Sequence, residues 1–275
     1  MKIISWNIAH QPQLWSKLLK TDADIALLQE ACEPPPEIAT RLDIGSGPWR
    51  TEGAGAKRPW KTTVVGLNPR VRLNRIPTVS IGVAEANDFS VSCAGSLDIA
   101  NIEHLDSGEQ ITLVSMYATW ERPHESTNGS WIYADASVHR LISDISALVG
   151  SQNKHRIIAA GDLNILHGYG ENGSNYWATR YQTIFDRFAA IGLDFVGPQH
   201  PNGLQATPWR SELPKSSLNV PTFRTNKKQP ESATRQLDFV FASSSISHRV
   251  KTYAKNSIDD WGDSDHCQVR IEVEL

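Results

Sequence analysis

Several apolar segments of the chain end directly in a carboxylate, a carboxamide or a histidine. A charged side chain beside a buried strand must be paired, hydrated or bound to a metal ion, because its burial alone is very costly. One such acid is usually a turn or a helix cap. Here there are five groups: Asn7 after residues 3–6, Glu30 after 25–29, Asp162 and Asn164 after 157–161, Asp238 after 236–237, and Asp265 with His266. So many polar segment ends in one chain favour a shared site.

If these segment ends converge at one edge of a sheet, they form a pocket rich in oxygen atoms. Such a pocket fits a hard cation, Mg²⁺ or Mn²⁺, and no thiolate or multi-histidine set typical of zinc is evident in the sequence. Mg²⁺ usually takes one or two protein carboxylates and completes its shell with water and substrate phosphate. The remaining acids would then be available for proton transfer.

The elements that must position these groups are mostly strands. Apolar segments predict strands at residues 2–8, 24–29, 62–67, 110–117, 156–160, 236–242 and 268–275. The last alternates between apolar and polar residues, which is typical of a half-buried antiparallel strand. Helical spacing occurs in residues 11–20, 138–149 and 181–191. Many strands that do not alternate regularly with few helices predict an α+β layered sandwich rather than a doubly wound sheet.

Composition places limits on the partners of this chain of 275 residues. Its 27 basic and 30 acidic residues give a net charge of -3, so phosphate contacts would need a local basic patch or a metal ion. No apolar run reaches the roughly 20 residues that span a bilayer. Three widely spaced cysteines and the lack of a signal-like start predict a cytoplasmic protein. No linker divides the chain, so we expect one catalytic domain over residues 1–275.

Residues 201–235 form a long, polar stretch without periodicity. Loops of this length in compact domains are usually functional or disordered. The stretch is basic, so it is either a solvated flap or a rim that faces phosphate. Loop tryptophans and tyrosines could stack on bases, or could simply pack against the core. The basic candidates are Arg210, Lys215, Arg224, Lys227 and Lys228, and the aromatic candidates are Trp120, Trp131, Tyr176, Trp177 and Trp209.

Six short motifs together resemble the endonuclease/exonuclease/phosphatase superfamily, which includes exonuclease III, DNase-I-like nucleases, inositol-polyphosphate phosphatases and sphingomyelinases. They occur in the family's order: Ser5-Trp6-Asn7, Leu27-Leu28-Gln29-Glu30, Ser115-Met116-Tyr117, Gly161-Asp162-Leu163-Asn164, Gln236-Leu237-Asp238-Phe239 and Ser264-Asp265-His266-Cys267. The resemblance implies a four-layer α/β/β/α sandwich of two packed, mainly antiparallel sheets, with the site where these strand ends meet.

The resemblance also implies a role for each residue at the metal. Glu30 would be the main metal ligand, with Asn7 and Asp265 near the ion. The cation expected from this resemblance is Mg²⁺ or Mn²⁺. Asn7 also has a simpler interpretation, as the cap of a turn.

For the catalytic groups, the resemblance implies in-line attack of water on phosphorus. Asp162 would orient or deprotonate the water, and Asn164 would hold the water or a phosphate oxygen. His266 would contact the scissile phosphate while Asp238 fixes its tautomer. Tyr117 would donate to a phosphate oxygen or assist the leaving group. Tyr117 could instead be a packed aromatic, and Asp238 could face solvent by strand alternation.

The motifs indicate the type of reaction more clearly than they indicate the substrate. A metal-dependent nuclease or related phosphodiesterase acting on DNA or RNA is the first hypothesis. A phosphomonoesterase on a small or lipid phosphate and an inactive binding module are the alternatives. Ile8-Ala9-His10 after Asn7 departs from the abasic-site endonucleases, and Thr234–Asp238 departs from the inositol phosphatases. The candidates for substrate binding are Trp177, Trp209, Thr222, Arg224, Lys227 and Lys228.

Overall fold

The structure, a computed structural model, describes residues 1–53, 56–127, 129, 131–151, 154–225 and 229–275. Within these residues, two six-stranded sheets carry the fold. In spatial order the first sheet contains β17 (Val250–Lys255), β18 (Gln268–Val273), β1 (Lys2–Asn7), β2 (Ile25–Ala31), β6 (Lys61–Gly66) and β3 (Asp43–Ile44). The second contains β13 (Leu193–Gly197), β16 (Asp238–Ser243), β12 (Ile157–Asp162), β11 (Gln110–Tyr117), β10 (Leu97–His104) and β7 (Val71–Ile76).

Smaller elements complete the described chain. Three short ribbons pair β4 (Thr51–Gly53) with β5 (Ala56–Arg58), β8 (Thr78–Ser80) with β9 (Phe89–Val91), and β14 (Phe223–Arg224) with β15 (Ala233–Arg235). The α-helices are α1 (Trp15–Leu18), α2 (Pro36–Ala39), α3 (Asp135–Ile145) and α4 (Asn175–Ala190). The 3₁₀ turns are Pro12–Leu14, Ser146–Leu148, Glu171–Gly173, Pro230–Ser232, Ser247–Arg249 and Ile258–Asp260.

Each large sheet contains one parallel pair, β1 with β2 and β11 with β12, and its other pairs are antiparallel. Parallel neighbours end at the same edge of a sheet. Both parallel pairs are almost fully buried, since their side chains pack on both faces. The carboxyl ends of these four strands are therefore rigidly supported.

Apolar side chains fill three layers between the elements. Inward-facing residues of the two sheets, such as Leu27, Leu113 and Val240, form the central layer. Trp15 of α1 belongs to the layer that covers the outer face of the first sheet. Helices α3 and α4 cover the outer face of the second, where Phe188 stacks on Phe241 with ring centroids 3.8 Å apart. The predicted α/β/β/α sandwich of two mainly antiparallel sheets is confirmed.

The predicted elements can be compared with the observed ones. All seven predicted strands exist, as β1, β2, β6, β11, β12, β16 and β18, and the three helical stretches overlap α1, α3 and α4. The sequence did not predict β3, β7, β10, β13 and β17 of the two large sheets, the strands of the three short ribbons or helix α2. Residues 201–225 and 229–235 are largely irregular, as expected. Across the described ranges, no helix is long and apolar enough to cross a membrane.

Candidate active site

The strand ends of both sheets converge at one edge of the sandwich. In the second sheet, Tyr117 lies opposite Asp162 on neighbouring strands, and Asp162 lies opposite Asp238. Asp238 begins its strand rather than ending it, but β16 runs antiparallel to β12, so both residues reach the same edge. His266 precedes β18, the antiparallel neighbour of β1. Register therefore brings together groups far apart in sequence.

A buried imidazole lies between two buried carboxylates. The Nδ1 atom of His266 lies 2.8 Å from Oδ2 of Asp238, and its Nε2 atom lies 3.6 Å from Oδ2 of Asp162. All three residues are at most 4% exposed. Because Asp238 accepts the bond at Nδ1, it fixes the ring orientation and leaves Nε2 directed toward Asp162.

Two asparagines hold the Asp162 carboxylate from other directions, Asn7 through its side chain and Asn164 through its backbone. The amide Nδ2 of Asn7 donates to Oδ2 of Asp162 at 2.9 Å and lies 3.3 Å from Oε1 of Glu30. The Oδ1 atom of Asn7 accepts the backbone N–H of Ala9 at 2.9 Å. Asn164 donates its backbone N–H to Oδ1 of Asp162 at 3.0 Å. Asn7 thus presents hydrogen-bond donors to the two carboxylates, and its oxygen is used by the backbone.

Glu30 occupies an unusual backbone conformation. Its φ of 47° is left-handed, which a non-glycine residue rarely adopts. The pairing of β2 with β6 shifts register between Leu28 and Ala31, and such a bulge redirects the side chains within it. His10 also has a φ of 47°, and its Nδ1 lies 3.2 Å from Oε2 of Glu30. Local strain of this kind is typical of functional positions.

Burial and neighbouring charges shift the pKa values of the central pair in a consistent way. Burial raises the pKa of Asp162 well above its usual range, and the charges of Asp238 and Glu30 add to this effect against the opposing charge of His266. Burial alone would lower the pKa of His266, but the carboxylates of Asp238 and Asp162 raise it above its ordinary value. The imidazole is therefore held as a cation near neutral pH.

The outer groups of the site have shifted pKa values as well. Burial acts to raise the pKa of Glu30, but the hydrogen bond from His10 and the charge of His266 outweigh it, so the pKa lies below its usual range. Burial, with the charges of Glu30 and Asp162, raises the pKa of the Tyr117 phenol well above its ordinary value. Tyr117 therefore keeps its proton, and its ring packs edge-on against Trp60 at 4.7 Å.

Several groups fix the segment before β18. The Ser264 hydroxyl donates to the carbonyl oxygen of Asn7 at 2.7 Å and accepts the backbone N–H of His266 at 3.0 Å. Trp6 donates its indole N–H to the carbonyl oxygen of His266 at 3.0 Å. Ser264 and Trp6 lie inside the sequence motifs but received no role there. His10 and Trp60 also received none, and only proximity to Asn7 in the sequence could have indicated His10.

Two residues expected to bind substrate are instead buried in the structure. The Thr222 hydroxyl accepts the backbone N–H groups of Leu237 and Asp238, both at 3.0 Å. The Arg224 guanidinium donates to the carbonyl oxygens of Gly262 and Ser264. Both residues are at most 2% exposed, so their contacts hold Asp238 and the segment of His266 in place.

The remaining predicted residues have different surroundings. Asp265 is half-buried, and its backbone oxygen accepts the N–H of Arg224 at 2.9 Å. Trp177 lies on α4, stacked against Tyr181. Trp209 is 39% exposed, and its indole N–H lies 3.4 Å from the carbonyl oxygen of Leu213. Lys227 and Lys228 lie outside the described residues.

The donor set fits a divalent cation. One potential ligating atom from each of Asp162, Asp238 and His266 lies within 4.8 Å of the others, but the imidazole is held as a cation, so the carboxylates are the atoms available to a metal ion. The Oδ1 atom of Asp238 is buried without a hydrogen-bond partner among the residues that the structure describes. Asn7 contacts the carboxylates of both Asp162 and Glu30, so two negative charges lie close together. A cation with oxygen ligands would offset this excess of negative charge.

A sequence signature now identifies the family. The signature of the Endonuclease/Exonuclease/phosphatase family matches residues 4–266. The chain belongs to this family. Membership of the Endonuclease/Exonuclease/phosphatase family makes it a phosphoric ester hydrolase, and it confirms the resemblance predicted from the six motifs. No curated protein matches the chain in sequence.

Solved structures of Endonuclease/Exonuclease/phosphatase type share the fold at low sequence identity. The endonuclease domain of TRAS1, a telomere-specific non-LTR retrotransposon, is 15% identical with a TM-score of 0.62, and the match covers 100% of this chain and 98% of that one. The AP endonuclease LMAP from Leishmania major is 17% identical with a TM-score of 0.57, and the match covers 100% of this chain and 87% of that one. The 3' phosphatase NExo from Neisseria, bound to a product DNA hairpin, is 14% identical with a TM-score of 0.58, and the match covers 100% of both chains.

Proposed function

We propose that the protein is a Mg²⁺- or Mn²⁺-dependent phosphodiesterase that hydrolyses the backbone of DNA or RNA. The observation that carries this proposal is the buried carboxylate of Asp162, held by Asn7 and Asn164 and facing the imidazole of His266. A carboxylate with a raised pKa beside a fixed cation is suited to orient a water molecule and accept its proton.

The other residues of the site would stabilise the charge that develops on the phosphate. Protonated His266, oriented by Asp238, would donate to a phosphate oxygen through Nε2. The phenol of Tyr117 keeps its proton and would donate to a second oxygen or to the leaving group. Asn164 would hold the water or a phosphate oxygen, as the family resemblance implies.

Glu30 would hold the metal ion. Its side chain is 19% exposed, compared with 1% for Asp162 and 2% for Asp238, so a hydrated ion can reach it. Asp265 would lie near the ion, and Asn7 would position Glu30 relative to Asp162 through its amide N–H groups. When bound, the cation would act as a Lewis acid on the phosphoryl oxygens. We propose a single catalytic domain over residues 1–275 with this one site, in a cytoplasmic protein.

Nucleic acid is the substrate class that the comparisons favour. A retrotransposon endonuclease domain, an AP endonuclease and a phosphatase bound to a DNA hairpin share the fold. The same set supports a second candidate, a phosphomonoesterase, because NExo is described as a 3' phosphatase. The cluster of acids and His266 could serve either reaction.

Incubation with a panel of substrates tests the proposal. Purified protein is incubated with plasmid, single-stranded DNA, RNA, a 3'-phosphorylated oligonucleotide and a small chromogenic phosphodiester, each with Mg²⁺ and with EDTA. Strand cleavage that requires Mg²⁺ is expected. Phosphate release without strand cleavage would favour the phosphomonoesterase, and no turnover of any ester would contradict both.

A further inference from the structure

A cavity of about 590 Å³ is lined in part by residues that lie close along the chain to Tyr117 and Asp238. Its volume lies within the roughly 300–1,000 Å³ range of pockets that bind small ligands. The lining includes three tryptophans and three arginines: Trp120, Trp131, Trp177, Arg58, Arg122 and Arg235. We call it the tryptophan pocket.

One wall of the tryptophan pocket is continuous with Tyr117. Trp120 follows Tyr117 by three residues at the end of β11. The guanidinium of Arg58 lies 5.6 Å from the ring centroid of Trp60, which in turn packs against Tyr117 at 4.7 Å. A group bound in the pocket would therefore lie beside the phosphate that Tyr117 is proposed to contact.

A second part of the lining is linked through neighbouring residues to the Asp238–His266 pair. Arg235 precedes Asp238 by three residues and lies opposite Phe223 in the ribbon of β14 and β15. The ring of Phe223 contacts that of His266, with centroids 5.1 Å apart. Residues on both sides of the catalytic cluster thus extend into the pocket walls.

The tryptophans that line the pocket differ in how far their rings pack against other side chains. Trp177 is braced by Tyr181 at 5.8 Å and by the guanidinium of Arg180 at 5.0 Å, so it is a fixed wall. Trp120 packs in part against the core, whereas Trp131 is 47% exposed and, among the described residues, no aromatic ring packs against it. An exposed indole at the mouth of a pocket offers a face for stacking.

The charges of the pocket favour an anionic ligand. Its lining carries three arginines against one glutamate, Glu171, which both guanidinium nitrogens of Arg235 contact at 2.9 and 3.3 Å. The Nη1 atom of Arg58 is buried, with no hydrogen-bond partner among the described residues. Arg122 is exposed. A ligand that combines an aromatic ring with neighbouring phosphates would satisfy both the indoles and these cations.

We propose that the tryptophan pocket binds an unpaired nucleobase next to the scissile phosphate. This inference rests on the proposed function, and it specifies the substrate class as single-stranded nucleic acid or an unpaired end. A base inside a duplex is stacked on both faces, and it would have to leave the stack at a cost of a few kcal/mol before entering the pocket. Stacking on indole faces depends little on the identity of the base.

Equilibrium binding tests the pocket without relying on turnover. Labelled oligothymidylate and a duplex of equal length are titrated, in EDTA, with the Asp162→Asn protein and with the same protein carrying Trp131→Ala. The matched control is Leu218→Ala, which removes an apolar side chain that is as exposed as Trp131, at 47%, and does not line the pocket. Trp131→Ala is expected to weaken single-strand binding by about 5- to 150-fold, with little effect on the duplex. Leu218→Ala is expected to leave the affinities for both oligonucleotides unchanged.

A charge variant gives a second, independent measurement. Arg122→Ala is expected to make the negative slope of log affinity against log salt for the single strand shallower by about 0.7, because one phosphate contact is lost. Equal binding of single strand and duplex, or no effect of Trp131→Ala, would overturn the pocket proposal. Hydrolysis of the small chromogenic phosphodiester is measured in parallel. If the wild-type protein does not hydrolyse this phosphodiester, the proposed function is contradicted. The binding measurements would still test whether the pocket binds an unpaired base.

Discussion

The imidazole of His266 lies between two buried carboxylates, and each partner fixes a different property of it. Asp238 orients the ring through Nδ1, while Asp162 faces Nε2 across 3.6 Å. Thr222 supports Asp238 in turn, because its hydroxyl accepts the backbone N–H of Asp238. Loss of one member of such a buried set leaves the others unpaired, so single substitutions should have large effects.

The Asp238→Asn substitution tests the orienting role of Asp238. The variant keeps the shape of the side chain but removes the charge that holds His266 as a cation, so kcat should fall by about 10²- to 10⁴-fold. Steady-state hydrolysis of the chromogenic phosphodiester measures this fall in kcat. Asp194→Asn, at a half-buried acid bonded to Ser244 and Ser247, is the control and should retain activity. A rate within twofold of wild type for Asp238→Asn would contradict the assignment.

Glu30 should determine the metal requirement. Glu30→Gln removes the negative charge of the proposed ligand, so the Mg²⁺ concentration for half-maximal activity should rise at least about tenfold. Titration of activity with Mg²⁺ measures this, and Glu33→Gln, at an exposed acid three residues away, is the matched control. An unchanged Mg²⁺ dependence would show that Glu30 is not the main ligand.

The sequence predicted which side chains meet in the site better than what each one contacts. The ends of strands with strong apolar patterns located Asn7, Glu30 and Asp162, because register follows from burial. The orientation of the Asn7 amide could not be predicted, since it depends on the N–H of Ala9 in a left-handed turn. The burial of Thr222 also escaped prediction, because the segment around it has no periodicity.

At the scale of elements, the close approach of β11 and β12 determines where Asp162 lies. Gly161 precedes Asp162, and a Cβ atom at Gly161 would lie 1.8 Å from the carbonyl oxygen of Met116. No side chain fits in this space, so the glycine allows the two strands to pair directly beneath the site.

The Gly161→Ala substitution should force the two strands apart. We expect the free energy of unfolding to fall by at least about 2 kcal/mol, with a parallel loss of activity as Asp162 moves. Urea denaturation measures the change. Gly150→Ala, where a Cβ would meet nothing within 4 Å, should change the free energy of unfolding by no more than about 0.5 kcal/mol. A stable, active Gly161→Ala protein would contradict the packing argument.

The elements that the sequence did not predict have weak patterns for identifiable reasons. Strand β10 is interrupted by Asp98, Asn101 and Glu103, which break the apolar run although four of its eight residues are buried. Helix α4 begins at Asn175, six residues before the predicted stripe, because its first turns are mainly exposed and carry no apolar spacing. Periodicity identifies only the buried part of an element.

For the molecule as a whole, stability should depend on pH through His167, a buried histidine that is not part of the candidate active site. His167 packs against Phe185 and Phe195 at 4.4 and 4.7 Å, and its Nδ1 lies 3.2 Å from Oδ1 of Asn219. Burial lowers the pKa of His167 below its ordinary value, and the hydrogen bond to Asn219 opposes this only in part. The folded protein therefore resists protonation of this ring.

The direction of the pH effect on stability follows from which state, folded or unfolded, binds a proton at His167 first. As pH falls below about 6.5, the unfolded chain binds a proton at this position before the folded chain does, so the contribution of His167 to the free energy of unfolding should decrease. Urea denaturation between pH 5 and pH 8 (roughly the range over which histidine titrates) measures it. His167→Gln should have a shallower pH dependence, whereas His248→Gln, at an exposed position, should match the wild type. Identical slopes for all three proteins would contradict the prediction.

The rate at which Asp162→Asn hydrolyses the chromogenic phosphodiester tests the central claim most directly. The substitution preserves shape and fold, which urea denaturation can verify, but removes the carboxylate that all the surrounding donors hold in place. We expect a rate at least about 100-fold below that of the wild type at saturating Mg²⁺. A folded Asp162→Asn protein that hydrolyses the phosphodiester within twofold of the wild-type rate would show that this cluster is not the active site.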